Sequence, residues 1–554
     1  MGVQINAKMF KKTHDSSVPA AIHNVRLYLS ALCAASGAMM IGYDSAFLGG
    51  TLALPSFRTD FGLKHMTRAQ VDLIEANIVS LYQAGCFIGA LLAYPLGHFY
   101  GRRIGLIISV LIFILGGILM VIADSARGLA PIYAGRVLTG LGIGIISSIT
   151  PIYIAEIAVV SIRGRLVGLY ELGWQLGGII GFWINYGVSE NTSIIGRTQY
   201  TIPFAVQLIP AGLCLIGVVS FLKESPRWLL SRGRRTEALS NLCWLRKLDE
   251  SDSYFQSEFL MMEQTLVSQK ETVGESFWGP FQKLLLFRPS LIRLAIACSL
   301  FMFQNGTGIN AINYYSPTVF RSIGISGTSA SLLSTGVFGA IKTIATVIWL
   351  CFLADRIDRT IMLMVGSFFG GLMMYGLGIY IAVAKPTENP TPGGRLTSSG
   401  KGALAIIYLW TVFYSPTWNP TPWLFSAEAF PMHVRTLAQA FVASSNWFFN
   451  FLIARFTPQM FTAMGYGVYL FFACFMMISI PYVWFIVPEL RGVPLEKIDT
   501  VFEAWKPSSG RRRNMARARE SVLDKCGEEE SEEMELELES ELESEGAKGS
   551  CSTK

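Results

Sequence analysis

Long apolar runs recur along the chain, each followed by a short polar segment. A helix needs roughly 20 apolar residues to cross a bilayer. About twelve runs reach that length: 25–48, 75–98, 104–124, 130–154, 166–187, 201–222, 291–320, 330–353, 360–384, 402–426, 436–459 and 466–487. The longest interruption follows the sixth. Residues 223–290 are polar, contain Glu224-Ser225-Pro226-Arg227 and Arg232-Gly233-Arg234-Arg235, and read as a soluble helical linker. The pattern predicts an all-α membrane protein with twelve transmembrane helices in two six-helix halves. Its expected parts are a tail over 1–24, a half over 25–222, the linker over 223–290, a second half over 291–487 and a tail over 488–554.

Composition agrees. Of 554 residues, 51% are hydrophobic and 15% charged, where a soluble domain carries about 25% charged residues. The surplus apolar surface must face lipid. A net charge of +6 gives no basis for nucleic-acid binding. The cysteines are scattered, mostly inside apolar runs, and form no CxxC or Cys/His cluster. Neither a disulfide framework nor a metal site is expected. No nucleophile–base set or cofactor loop appears, so the chain does not read as an enzyme. Gly140-Leu141-Gly142-Ile143-Gly144 lies inside a span, where small residues let helices approach closely. Residues 1–24 lack a leader pattern, and the first span is expected to act as the insertion signal.

Lys and Arg in short loops set orientation. One side holds Arg102, Arg103, Arg163, Arg165, Arg356, Arg359, Arg435 and the basic linker; the other has mainly Arg58, Lys64, Arg68, Arg127, Arg197 and Arg321. The basic side is read as cytoplasmic, with both termini inside and the plasma membrane as the expected location. Asn191-Thr192-Ser193 then falls outside, a candidate glycosylation triplet. The tail is acidic from Glu528 to Glu545 and expected to be disordered from about 507. It reads as a solvated tail or as a site for regulatory partners, while Arg511-Arg512-Arg513 suits an anionic leaflet.

The loop after the fourth span has Ala155-Glu156-Ile157 and then Arg163; the loop after the tenth has Ala427-Glu428-Ala429 and then Arg435. The two sets are separated by the same 272 residues. Gly101-Arg102-Arg103 after the second span is echoed by Asp355-Arg356-Ile357-Asp358-Arg359 after the eighth. This is a duplicated carrier, and parallel duplicated halves place a solute site at their midplane interface. The charges suit a gate that bridges the halves and breaks when they rock, each exposed pair contributing only about 0–1 kcal/mol. The gate candidates are Arg102, Arg103, Glu156, Arg163, Glu224, Arg227, Asp355, Arg356, Glu428, Arg435 and Glu489.

These motifs resemble the sugar porter family of the major facilitator superfamily. The resemblance rests on Gly101-Arg102-Arg103, Gly135-Arg136, Glu156 with Arg163-Gly164-Arg165, Glu224-Ser225-Pro226-Arg227-Trp228, the run Gln304 to Asn310, and Pro488-Glu489-Leu490-Arg491-Gly492. It covers about residues 25–505. Ile41 to Phe47, Gly168 to Gln175, Gly181 to Gly187 and Asn310 to Pro317 are similar to the fungal quinate permease subgroup, with galacturonate carriers close by. The chain departs from the pattern at His98 and Tyr100, at Asp358, at Pro420 and at Leu490-Arg491.

Ionisable residues inside spans are costly and are functional candidates by default. Asp44, Arg136, Glu171, Lys342 and Arg455 stand out. The resemblance implies that Asp44 pairs with Arg136 and that its protonation frees the halves to move. Glu171 takes a position where the family often carries a sugar-binding Gln. It reads as a second proton site or as a hydroxyl acceptor. Lys342 reads as a counter-ion for a solute carboxylate, or else as a partner of Glu171 or Asp44. Arg455, near a span end, is expected to snorkel to the interface. The resemblance adds neutral contacts: Gln175, Gln304, Asn305, Asn310, Asn313, Thr343, Asn419, Trp423, Asn446, Trp447 and Asn450.

The expected function is proton-coupled uptake of a polyhydroxylated carboxylate, with quinate first. Galacturonate or a neutral monosaccharide is the alternative solute, and a non-transporting nutrient sensor the alternative role. Deleting residues 510–554 separates the last, since a carrier keeps working without them. The partners are then a small polyol acid or sugar, protons and the bilayer. No cofactor is expected beyond the proton as coupling ion.

Overall fold

In the computed structural model the described residues are 24–491, without 160–162, 275, 354–355 and 389–395, plus Phe502 and Ser521. Among them there is no strand. The first six-helix half comprises α1 (Val25–Ala53), α2 (Arg68–Phe99), α3 (Arg102–Val121), α4 (Ala130–Ile157), α5 (Arg163–Glu190) and α6, broken into Arg197–Val206 and Leu208–Ser220. The second comprises α7 (Arg288–Gly306 and Ile309–Ser322), α8 (Thr328–Ile348, extended by a π-helical turn Trp349–Leu353), α9 (Arg359–Ala384), α10 (Ser398–Tyr414 and Thr421–Ala429), α11 (Met432–Met464) and α12 (Gly467–Ile486). Between the halves, shorter helices cover Pro226–Ser231, Arg235–Arg246, Ser253–Val273 and Gly279–Leu286.

Local chemistry sets the boundaries. The Asn24 side chain accepts from the Leu27 amide to cap α1, and Thr67 with Gln70 forms a capping box on α2. Gly308, at φ +90°, breaks α7, because only glycine enters that region without strain. Pro420 stands just before the second piece of α10. Nine helices among the described residues are each long and apolar enough to cross a bilayer, and the bent run Gly279–Leu286 with Arg288–Ser322 makes up to ten. α5 and the interrupted α10 fall outside that group. Polar Glu171, Gln175 and Asn185 dilute α5, and the break shortens each piece of α10.

Close helix packing explains the glycine stripe on α4. A Cβ on Gly140 would lie 2.1 Å from the Tyr82 carbonyl oxygen, and one on Gly144 would lie 2.2 Å from that of Cys86. Both contacts are backbone, so neither can yield. Gly140→Val should therefore force α4 off α2. Overpacking costs about 1–3 kcal/mol, and the expected outcome is a melting temperature several degrees lower in detergent, read by intrinsic fluorescence.

The halves meet along α2 and α11, along α5 and α8, and where α1 meets the second part of α7. There a Cβ on Gly49 would lie 2.2 Å from the Tyr314 carbonyl oxygen, so these backbones touch. On the face away from the linker, Thr462 donates to Asp72 and Ser189 bonds Ser329 at 3.2 Å, both across the halves. On the linker face, Phe277 packs against Tyr94 with the rings tilted, and Phe281 meets Phe441, so the segment before α7 touches both halves.

Candidate functional site

Asp44 on α1 and Arg136 on α4 form an ion pair, both side chains 0% exposed. Arg136 Nε donates to the Ile78 carbonyl at 3.1 Å, and its guanidinium lies 4.3 Å from the centre of the Tyr82 ring. Asp44 Oδ2 and Arg136 Nη2 have no hydrogen-bond partner. The pair is held by one bond where a carboxylate and a guanidinium can make two, and the second oxygen is left to accept a proton. Asp44 does not line the cavity, but the next residue, Ser45, does.

The cavity lies between the halves and holds about 750 Å³ of space, part of it open to solvent. α1, α5, α7, α8, α10 and α11 all contribute to its wall. Of the sequence candidates, Glu171, Gln175, Gln304, Asn310, Asn313, Lys342, Thr343, Asn419, Trp423, Asn446 and Asn450 line it. Two do not. Trp447 turns away, donating through Nε1 to Ser147 at 3.2 Å with its ring edge-on to Tyr82, and so packs α11 against α4 and α2. Asn305 sits behind the wall, donating to the Phe301 carbonyl at 2.8 Å and to Asn446 Oδ1 at 3.1 Å while accepting from Asn310. It orients two wall amides and does not itself reach the cavity.

Much of the polar wall is already oriented by the protein. Gln304 donates to the carbonyls of Trp418 and Asn419 at 2.7 and 2.9 Å, fixing the break in α10 against α7. Trp423 stands edge-on to Phe301, with ring centres 4.7 Å apart. The Asn313 and Asn450 side-chain oxygens are buried without a protein partner, which leaves them open to hydroxyl donors. Glu171 Oε1 accepts from Gln175 and, across the halves, from Asn419, each at 2.7 Å. Lys342 is buried at 7% exposure and lines the cavity. Glu171 is the acid whose charge reaches it, yet neither Glu171 nor Asp44 comes within the 4.0 Å of an ion pair. Trp174, Phe182, Tyr314 and Tyr414 also line the cavity and are not among the sequence candidates. The spacing of Glu171, Trp174, Gln175 and Gly178 at i, i+3, i+4 and i+7 places all four on one face of α5, a signal that was available for Trp174.

A family model for sugar (and other) transporters matches residues 30–502. The chain belongs to this transporter family. It is 53% identical to a probable quinate permease of Neosartorya fischeri over 93% of both chains, and 53% identical to one of Aspergillus niger over 88% of this chain and 90% of that one. Among solved structures, the proton:xylose symporter XylE bound to 6-bromo-6-deoxy-D-glucose superposes with a TM-score of 0.71 at 25% identity, covering 86% of this chain and 99% of that one. A partially occluded inward open form of XylE from E. coli gives 0.67 at 23% identity, over 84% of this chain and 100% of that one.

The charges on the linker face of the transporter form two matching sets, one in each half. In the first half Arg102 binds Glu156 at 2.7 Å, while Glu224 accepts from the backbone amides of Arg102 and Arg103 at 2.9 and 3.1 Å. Burial pushes the Glu224 carboxyl up, and these amides with that of Ser225 oppose the shift. In the second half Arg359 binds Glu428 at 3.2 Å, and Glu489 accepts from the Thr360 amide at 2.9 Å. Glu224 and Glu489 thus cap the N-termini of α3 and α9 in the same way, where the helix dipole favours an anion. These contacts close within each half, so the expected bridge between halves is not what they form in this structure. Arg356, the gate candidate from this loop, is exposed and in no ion pair among the described residues; Arg359 makes the contact that matches Arg102. Arg103 donates to the Val219 carbonyl at 2.7 Å and Arg435 to that of Phe430 at 2.9 Å, each closing a helix end, while Arg227 Nε is buried without a partner. The Arg163 side chain and Asp355 lie outside the described residues. Two departures from the family pattern meet: Asp358 binds Arg491 at 3.3 Å, so a charge gained on one segment is answered on the other. Arg359→Ala should slow uptake at least several-fold, while Arg356→Ala should stay within about twofold of wild type in the same initial-rate assay.

Proposed function

We propose that this transporter carries a polyhydroxylated carboxylate, quinate first among them, inward across the plasma membrane together with protons, with the linker and both termini in the cytoplasm. One observation carries the solute class. Lys342 is a buried ammonium that faces the cavity with no ion-pair partner among the described residues, and a buried cation calls for a buried anion. A neutral hexose gives it none; a polyol acid does. The similarity to probable quinate permeases supports the same reading.

In this reading the solute carboxylate binds Lys342, its hydroxyls bond Asn310, Asn313, Asn446 and Asn450, and the Trp423 ring covers the apolar face of its ring. Asp44 accepts the coupling proton and releases Arg136, which keeps its contacts with Ile78 and Tyr82. The likeness to a proton:xylose symporter supports proton coupling. The test is uptake of radiolabelled quinate, galacturonate and glucose, at two external pH values, in a host without carriers of its own. Quinate uptake that rises at acidic external pH is the expected result. Preference for glucose would replace the acid reading with a neutral-sugar one.

A further inference from the structure

A carboxylate solute enters a cavity that already contains an anion. Glu171 on α5 and Lys342 on α8 are the cavity's acid and its base. Glu171 balances Lys342 across the cavity without closing on it. A solute carboxylate arriving at Lys342 leaves two anions for one ammonium in a small, mostly buried space. Like charges so placed disfavour each other's ionised form. One of the two must take a proton.

The hydrogen bonds around Glu171 suit both of its states. Gln175 and Asn419 both donate to Oε1 at 2.7 Å, and no hydrogen bond among the described residues involves Oε2. A neutral carboxyl keeps a carbonyl oxygen as acceptor and gains an O–H on the other. Protonation on Oε2 therefore breaks neither amide bond and turns a donor toward the solute hydroxyls. Among the described residues, the titratable groups that feel the charge of Glu171 are Lys342, Tyr170 on its own helix and Tyr414 on α10. α1 presents no ionisable side chain to it, since Asp44 is turned to Arg136.

We propose that Glu171 takes up a second proton whenever an anionic solute binds, so that each cycle moves one net positive charge inward. The inference rests on the polyol-acid reading. The charges balance as follows. Empty, the carrier has Asp44⁻ with Arg136⁺ and Glu171⁻ with Lys342⁺, net zero. Loaded, it has neutral Asp44, Arg136⁺, neutral Glu171, Lys342⁺ and one solute anion, net +1. A single proton on Asp44 would leave the loaded form neutral.

The test uses the full chain in proteoliposomes, with equal pH on both sides and a potassium diffusion potential. In the wild type, 100 mV inside-negative should raise quinate accumulation up to about fifty-fold, the 2.3 kcal/mol that one charge gains. A pH-sensitive dye should report two protons entering per labelled quinate. Glu171→Gln has the shape of the neutral acid but cannot titrate. Its uptake is expected to be slower, with one proton per quinate and no response to potential. Wild-type quinate uptake that ignores potential, or a Glu171→Gln protein that still takes two protons per quinate, would overturn the inference alone. Absence of quinate uptake by the wild type would overturn the solute reading and the inference with it. The wild-type measurements stand even if the variant fails to fold.

Discussion

Asp44→Asn is expected to strip concentrative uptake of the share driven by the Asp44 proton while leaving solute exchange in place. Asn has the shape of the protonated acid and keeps an oxygen for Arg136, so the variant resembles a carrier fixed in its loaded charge state. A proton translocated down a pH gradient supplies about 1.4 kcal/mol per unit. With two units, the proton on Asp44 alone supports about 100-fold accumulation, and this is what the variant should lose. Labelled quinate inside vesicles should still exchange with unlabelled quinate outside, because that half-cycle needs no empty return. The measurement is steady-state accumulation beside counterflow in the same vesicles. Accumulation that depends on the pH gradient as steeply as in the wild type would remove Asp44 from the coupling path. Stability gives a second readout. Removing a buried partner's charge typically costs about 3–5 kcal/mol, but Arg136 keeps the Ile78 carbonyl and the Tyr82 ring. The loss in melting temperature should therefore be smaller than for Asp44→Ala.

Both members of that pair were legible in the sequence because ionisable residues stand out against an apolar span, and their pairing was what the family resemblance implied. The number and order of spans were legible for the same reason, and the two-half architecture followed from charges repeated at a fixed interval. What the sequence could not give is rotation about each helix axis. Asn446, Trp447 and Asn450 lie close together on α11, but Trp447 is offset by about 100° from Asn446 and turns to the Tyr82 and Ser147 side. Asn305 neighbours Gln304 and is offset in the same way, which puts it behind the wall. Arg356 and Arg359 could not be told apart by spacing because two basic residues in one short loop offer two registers. The π-helical turn Trp349–Leu353 alters the register just before them. The capping roles of Glu224 and Glu489 needed the backbone amides of α3 and α9, which no motif displays. The contact between Asp358 and Arg491 was missed because each looked like an isolated departure from a pattern.

The solute assignment rests most heavily on one side chain, and Lys342→Met should therefore separate acids from neutral sugars. Met keeps the length and apolar stem of Lys and removes the charge, so packing on α8 should hold. A quinate carboxylate would then enter a buried site beside Glu171 with no cation to meet it. Leaving one charge of a buried pair unpaired typically costs about 2–5 kcal/mol, which predicts a KM for quinate at least about 30-fold higher. A neutral hexose or pentose loses nothing by the change, because it has no charge for Lys342 to bind. Its binding should instead stay level or improve, since the empty cavity no longer holds an ammonium to desolvate. The check is competition: unlabelled glucose or xylose against labelled quinate, in wild type and variant, with KM and maximal rate measured separately. A selective rise in the quinate KM places Lys342 on the carboxylate. An equal loss for all solutes would make the residue structural, and the amide wall of α7 and α11 would then be the main determinant of what the cavity accepts.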